Sequence, residues 1–281
     1  MRYTHDLTDA EWQFIHSCFP KPSKTGRPRE HTYRELLNAM FYLVRTACQW
    51  RNLPKDFAPW RTVYHYFRLW KRTGLWAQIH AHLREHLRQV EGRKRHASAA
   101  ISDSQSVKGT ECSDQRGYDA GKKVNGRKRH VLVDTLGLVL LVLVLPANVQ
   151  DRDAARQLLK QFFGQKTRRR VKHIWADGGY AGALVAWARQ VWRCTLEIVK
   201  RTELHPFKVL PRRWVVERTF GWLGRSRRLN RDYERQAQTG EVLVYVAMIR
   251  LMLARLAKPC GVFKQALSRL HAVEKGPPIG D

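Results

Sequence analysis

Asp103, Asp177 and Glu217 are the residues of this sequence best placed to do chemistry. Among 24 Asp and Glu residues, a single carboxylate is ordinarily a cap or a solvated charge, so surroundings matter more than number. Asp103 lies in AAISDSQSV, where Ala99, Ile101, Asp103 and Gln105 share one face of an expected strand. A carboxylate in line with apolar side chains is expensive to bury unless it is paired or binds metal. Asp177, in WADGGYAG, closes another expected strand, and ligands gather at such strand ends in open α/β sheets. The two glycines after it let the backbone turn and a bulky substrate approach. Glu217 sits in RRWVVERTFGWLGRSRR, an expected helix packed through Val216, Phe220 and Leu223. The adjacent row is Arg213, Glu217, Gly221 and Gly224. A glycine inside a helix is disfavoured by roughly 1 kcal/mol relative to Ala. Either close helix packing or a bare face for a DNA backbone accounts for two of them, with Arg213, Arg218 and Arg225 gripping phosphates in the second case. One carboxylate on a strand, one at a strand end and one on a helix can together hold two Mg²⁺ ions about 3.5–4 Å apart for in-line attack on a phosphodiester.

Other chemistries find less support. The histidines and cysteines have no zinc-like spacing, and no GxxxxGK[ST] loop is present, so no nucleotide cofactor is expected. The five cysteines, at 18, 48, 112, 194 and 260, read as reduced packing residues. The N-terminus lacks the apolar core of a secretory signal. The longest apolar run, Leu138 to Leu145, falls well short of the ~20 residues of a membrane helix. No membrane association is expected, and a cytoplasmic, nucleoid-associated location follows. Lys and Arg number 52, giving a formal net charge of +28. Such an excess repels itself and calls for a polyanion, with nucleic acid first because phosphate neutralisation releases counterions.

Three regions must position these residues. Residues 1–92 read as helical: a capping-box pattern at Thr8 and Glu11, apolar spacing over Tyr33–Val44, a helix from about Pro59 to Arg72 and another from Trp76 to Val90. Residues 97–258 read as strands Ala97–Val107, Arg127–Asp134, Leu138–Pro146, Val171–Asp177 and Leu196–Lys200. Helices are expected over Asp151–Phe163, Gly182–Val191 and Arg212–Arg228, followed by a long apolar helix from Gly240 to Leu256. A hairpin followed by alternating strands and helices indicates an α/β domain with a mixed sheet. Residues 259–281 form a tail.

Nearly the whole chain resembles a known family. The residues carrying the resemblance are LTDAEW at 7–12, GRPREH at 26–31, CQWRNLPKDFAPWRTVYHYFRLWKRTGLW at 48–76, DSQSVK at 103–108, GRKRHVLVDTLG at 126–137, ADGGYAG at 176–182 and RWVVERTFGWLGRSRRL at 213–229. Together they are similar to bacterial insertion-sequence transposases with an RNase H-like core and a DDE triad, closest to the insertion-sequence-five group. The resemblance implies that Asp103, Asp177 and Glu217 bind the catalytic metals, two Mg²⁺ per site with Mn²⁺ as substitute. It further implies double-stranded DNA as substrate, at the element's terminal inverted repeats and at the target, and a homodimer or higher oligomer on that DNA. Relatives often carry a tyrosine seven residues before the glutamate and a lysine seven after; here these are Leu210 and Gly224, while the arginine four before is present as Arg213. The expected activity is metal-dependent DNA cleavage and strand transfer. The alternatives are an RNase H-like nuclease without strand transfer and a non-catalytic DNA-binding protein derived from a transposase.

Basic residues supply the expected DNA contacts. The helices over 31–47 and 59–72 could form a helix-turn-helix-like unit reading DNA through Arg61, Thr62, His65 and Arg68, though the connection 48–58 is long and a plain bundle is the alternative. Arg27 and Arg29 belong to a GRPR stretch that is either a minor-groove contact or a basic linker. Lys122, Lys123, Arg127, Lys128 and Arg129 in KKVNGRKRH read as a basic loop patch. Asp134 reads as a turn residue and Asp151 as a helix N-cap. Asp119 is open between a solvated and a DNA-facing role. Trp50, Trp60, Trp70 and Trp76 read as core, with stacking on DNA an alternative for Trp60 and Trp76.

Overall fold

Local signals set the N-terminal helices. Thr8 and Thr32 cap α1 (Asp9–Gln13) and α2 (Tyr33–Thr46), and Glu11 and Glu35 close a capping box in each. α3 (Trp60–Arg72) buries Val63, Phe67 and Trp70, and α4 (Leu75–Val90) buries Trp76, Ile79, Leu83 and Leu87. Trp76 is core: its indole N–H donates to the Phe67 carbonyl at 3.3 Å. The structure is a computed structural model that describes residues 3–21, 28–165, 170–199 and 214–257. Arg27, Arg213, Leu210 and the tail 259–281 lie outside those residues.

The strands are β1 (Ala99–Lys108), β2 (Gly117–Asp119), β3 (Val124–Asp134), β4 (Val139–Pro146), β5 (His173–Ala176) and β6 (Thr195–Ile198). They form one mixed sheet with β1 central. β3 runs antiparallel to β1 on one side, while β5 and then β6 run parallel to it on the other. β4 and the short β2 share the far edge of β3. This is the RNase H-like mixed sheet expected from the sequence, preceded by a helical region. α5 (Asp151–Phe163) and α6 (Ala183–Trp192) cover one face through Leu158, Leu159, Phe162 and Leu184. α7 (Trp214–Gly224), α8 (Ala237–Leu256) and the N-terminal helices cover the other.

The apolar core runs without a break across the boundary expected at 92–97. Leu36, Met40 and Phe67 belong to the same buried cluster as Ile101, Val131, Trp175, Val216 and Met248. Two buried arginines of α4 reinforce the join: Arg84 donates to the Val139 carbonyl at 3.2 Å and Arg88 pairs with Asp134. Asp134 is the turn residue expected, its Oδ1 accepting from the Leu136 and Leu138 amides at 2.9 Å, and it is also half of that buried ion pair. In the same turn Gly137 has φ +80°, and a Cβ there would lie 2.8 Å from Thr219 Oγ1. Glycine is what lets α7 approach this closely.

Candidate active site

The β1–β5 ladder brings Asp103 and Asp177 together. Ala99 pairs with His173 and Ile101 with Trp175, a constant offset of 74 residues that also separates Asp103 from Asp177. One same-face step beyond Ile101 and Trp175 lie the two aspartates, on strands about 4.8 Å apart. Asp177 retains extended backbone (φ −81°, ψ −179°) and its Oδ1 accepts from the Gly179 amide at 3.0 Å, which turns the chain sharply out of the sheet. Ile101 and Trp175 share their buried cluster with Val215 and Val216 of α7, and α7 packs against β1. Glu217 is therefore on the helix that covers the same sheet face as Asp103, and it is exposed. Among the described residues, a Cβ on Gly221 would meet nothing within 4 Å, and one on Gly224 only the Asn230 side chain at 3.7 Å. Among the described residues, then, no neighbour packs closely on these two glycines of the Glu217 row.

The opposite face of β1 carries a row of hydroxyls. Ser104 Oγ donates to Asp151 Oδ1 at 3.0 Å and Ser106 Oγ to Asp119 Oδ2 at 2.5 Å. From the neighbouring β3, Lys128 Nζ lies 3.4 Å from Asp119 and 3.3 Å from Asp151. His130 stands 3.8 Å from Asp151. Asp151 is not the expected N-cap: Gln150 holds that position, and Asp151 is the first helical residue with its carboxylate turned to the sheet. Asp119 is likewise turned inward. Burial acts to raise its pKa, but Ser106, the Lys122 amide and Lys128 outweigh that and hold it below the usual carboxylate range. Burial lowers the His130 imidazole to about 4 despite Asp151, so it is neutral at pH 7. Tyr180, two residues beyond Gly178, is fully buried; burial first, then Asp103 and Asp151, push its phenol up and keep it protonated. The alternating serines of SDSQSVK were the available signal for this row; nothing in the sequence paired them with Asp151.

The basic residues divide. Arg61, His65 and Arg68 are exposed on α3, with Thr62 half-buried beside them, and Arg29, Lys122, Lys123 and Arg225 are exposed as well. Lys122 Nζ also donates to the Ser104 carbonyl at 3.2 Å, beside Asp103. Arg127, Lys128 and Arg129 are not a surface patch. They are buried on β3. Arg127 donates to the carbonyls of Gln115, Glu234 and Arg235 at 2.8, 2.8 and 2.5 Å and pairs with Asp232 at 3.3 Å. Arg129 donates to the Leu229 carbonyl at 2.6 Å. An irregular segment under the sheet presents carbonyls that need donors, and the guanidinium groups supply them. Arg218 is also turned inward, its guanidinium 4.5 Å from the Trp214 ring and 4.7 Å from the Trp222 ring, donating to the Leu136 carbonyl at 3.0 Å. Arg255 also lies over the Trp222 ring, at 4.0 Å. This ladder fixes the rotation of α7.

Among the described residues, no three His, Cys, Asp or Glu side chains are grouped closely enough to hold one metal ion. The Asp103–Asp177 pair nonetheless fits a divalent cation that binds through one or two carboxylates and fills its shell with water and substrate oxygens. No helix among the described residues is long and apolar enough to cross a membrane.

Residues 94–252 match the family described as "Transposase DDE domain", and residues 7–80 match "Putative transposase of IS4/5 family (DUF4096)". A relative described as "Putative transposase for insertion sequence element IS402", from Burkholderia cepacia, is 32% identical over 117 residues. That alignment covers 40% of this chain and 56% of the relative, so the chain spans little more than half of that protein. A solved structure, "Crystal structure of the Mos1 Strand Transfer Complex", superposes over 86% of this chain and 80% of that one at 13% identity, with a TM-score of 0.30.

Proposed function

Because the chain belongs to the transposase DDE domain family, which residues 94–252 match, we propose that it is a DNA transposase that cuts the ends of an insertion sequence and joins them to target DNA. The observation that carries this reading is the β1–β5 register, which sets Asp103 beside Asp177 on the sheet face covered by the Glu217 helix. Asp103, Asp177 and Glu217 would hold divalent metal, two Mg²⁺ or Mn²⁺ ions. When bound, these supply Lewis acidity at the phosphate and activate the attacking oxygen. The chain's own residues position and exclude. The open face at Gly221 and Gly224 admits a DNA backbone beside Glu217, and Lys122 and Arg225 offer charge to its phosphates. Arg61, Thr62, His65 and Arg68 on α3, with Arg29, present the surface that reads the terminal repeats. Holding two ends at once calls for at least two protomers on the DNA.

A duplex carrying the element's end, incubated with the protein and Mg²⁺, should be nicked to free a 3′-hydroxyl, which then joins a target duplex. Nicking without joining would support the nuclease reading, and binding without nicking the non-catalytic one. Ca²⁺ should support binding with little cleavage, because its looser coordination misplaces the reacting oxygens.

A further inference from the structure

We propose that Asp151 is a positioning residue for the Asp103–Asp177 pair, acting from behind β1 on both carboxylates at once. Its Oδ1 takes the hydroxyl of Ser104, the residue that follows Asp103, and Ser104 in turn donates its backbone amide to Asp103 Oδ1 at 2.7 Å. Asp151 thus fixes the strand segment that aims Asp103. Its Oδ2 faces the turn that aims Asp177. A Cβ placed on Gly179 would lie 3.2 Å from Asp177 Oδ1 and 3.3 Å from Asp151 Oδ2, so both carboxylates converge on one side of that glycine.

The charge of Asp151 is itself held in place. The Lys128 side chain is only 9% exposed and bridges Asp151 and Asp119, with Nζ also donating to the Val149 carbonyl at 3.3 Å. A buried ammonium needs such partners, which explains why a lysine of an apparently DNA-facing run lies inside. The competing account is that Asp151 merely stabilises α5 through the helix dipole, as an acidic residue in the first turn does. Asp153 occupies the same first turn, is exposed and has no place in this network, so it separates the two accounts.

The inference rests on the reading of Asp103 and Asp177 as metal-binding residues. Groups that orient metal ligands typically change metal affinity by about 10–100-fold when removed. The test is Mn²⁺ titration of the full chain without DNA, by calorimetry, with thermal melts to confirm folding. Asp151→Asn should weaken Mn²⁺ binding by about 10–100-fold. Ser104→Ala should weaken it in the same direction by a smaller factor, and Asp153→Asn should bind as the wild type does. Unchanged affinity in folded Asp151→Asn, or an equal loss in Asp153→Asn, would overturn the inference. If Asp151→Asn does not fold, Ser104→Ala decides: wild-type affinity there overturns it. An Asp103→Asn variant that still binds Mn²⁺ like the wild type would overturn the metal reading itself, and this inference with it.

Discussion

Two basic stretches of this chain look alike as sequence, yet one stays on the surface while the other passes from the surface into the core. Arg61–Arg68 on α3 interleaves Arg and His with other residues, and Lys122–Arg129, leading into β3, interleaves Lys and Arg with others. On α3 the basic residues point to solvent because the helical period gives Val63, Phe67 and Trp70 a separate buried stripe. On β3 there is no outward face: from Gly126 to Asp134 every residue is buried, with β1 on one edge, β4 on the other and helices above and below. A strand covered on both faces must internalise whatever it carries. Here the arginines and lysine become internal donors to carbonyls and carboxylates. Net charge therefore overstates the surface available to DNA, and periodicity, not basic density, marks which stretch remains outside.

The sharpest way to break this contrast is at Arg127. Its guanidinium is 1% exposed and its partners are all internal, so Arg127→Met should destabilise the fold by about 3–5 kcal/mol, the range for removing one partner of a buried ion pair. A denaturant melt checks this, and a stable variant with selectively lost DNA binding would return β3 to the DNA interface. Asp134→Asn should behave like Arg127→Met, since it leaves Arg88 buried and unpaired.

The second test uses pH. Burial holds His130 at about 4, below its ordinary 6.5, so between those values the unfolded chain binds the proton more readily than the folded one. Stability from this group is present above pH 6.5 and lost as pH falls toward 4, with a slope of up to about 1.4 kcal/mol per pH unit. Urea midpoints measured across this window should show the decline, and His130→Asn should flatten it.

Arg218 lies between the two extremes, half-buried in the tryptophan ladder of α7. Arg218→Lys keeps the charge but loses the planar stacking, and should reduce stability by about 1 kcal/mol while lowering cleavage more than DNA affinity. Equal losses of affinity and cleavage would instead mark Arg218 as a phosphate contact. The smallest effect on the fold belongs to α3. Arg61→Ala or Arg68→Ala should leave stability within about 0.5 kcal/mol. Each should reduce the slope of log K for end DNA against log salt by about 1. An unchanged slope would remove α3 from the interface.

Much of this arrangement was legible in the sequence. The capping box at Thr8, the helical stripe of α3 and the alternation around Asp103 each reflect a local rule that the fold obeys. The 74-residue spacing of Asp103 and Asp177 became meaningful only with the parallel ladder, because register is a property of two strands. The burial of β3 and the inward turn of Asp151 were not legible. Both depend on what packs against a residue from distant segments: the carbonyls of 229–235 for the arginines, and Ser104 and Lys128 for Asp151. An acidic residue at a helix start has the same local signature whether it caps the helix or reaches across to a sheet.

The central claim is that Asp103, Asp177 and Glu217 act together on DNA, and single-turnover cleavage and joining of a labelled end duplex in Mg²⁺ tests it most directly. Asp103→Asn, Asp177→Asn and Glu217→Gln should each bind the duplex within a few-fold of the wild type, since Arg61 and its neighbours are untouched, yet lose about 10²–10³-fold or more in both steps. Near-wild-type cleavage and joining by any one of the three would contradict that residue's assignment, and by all three would contradict the account.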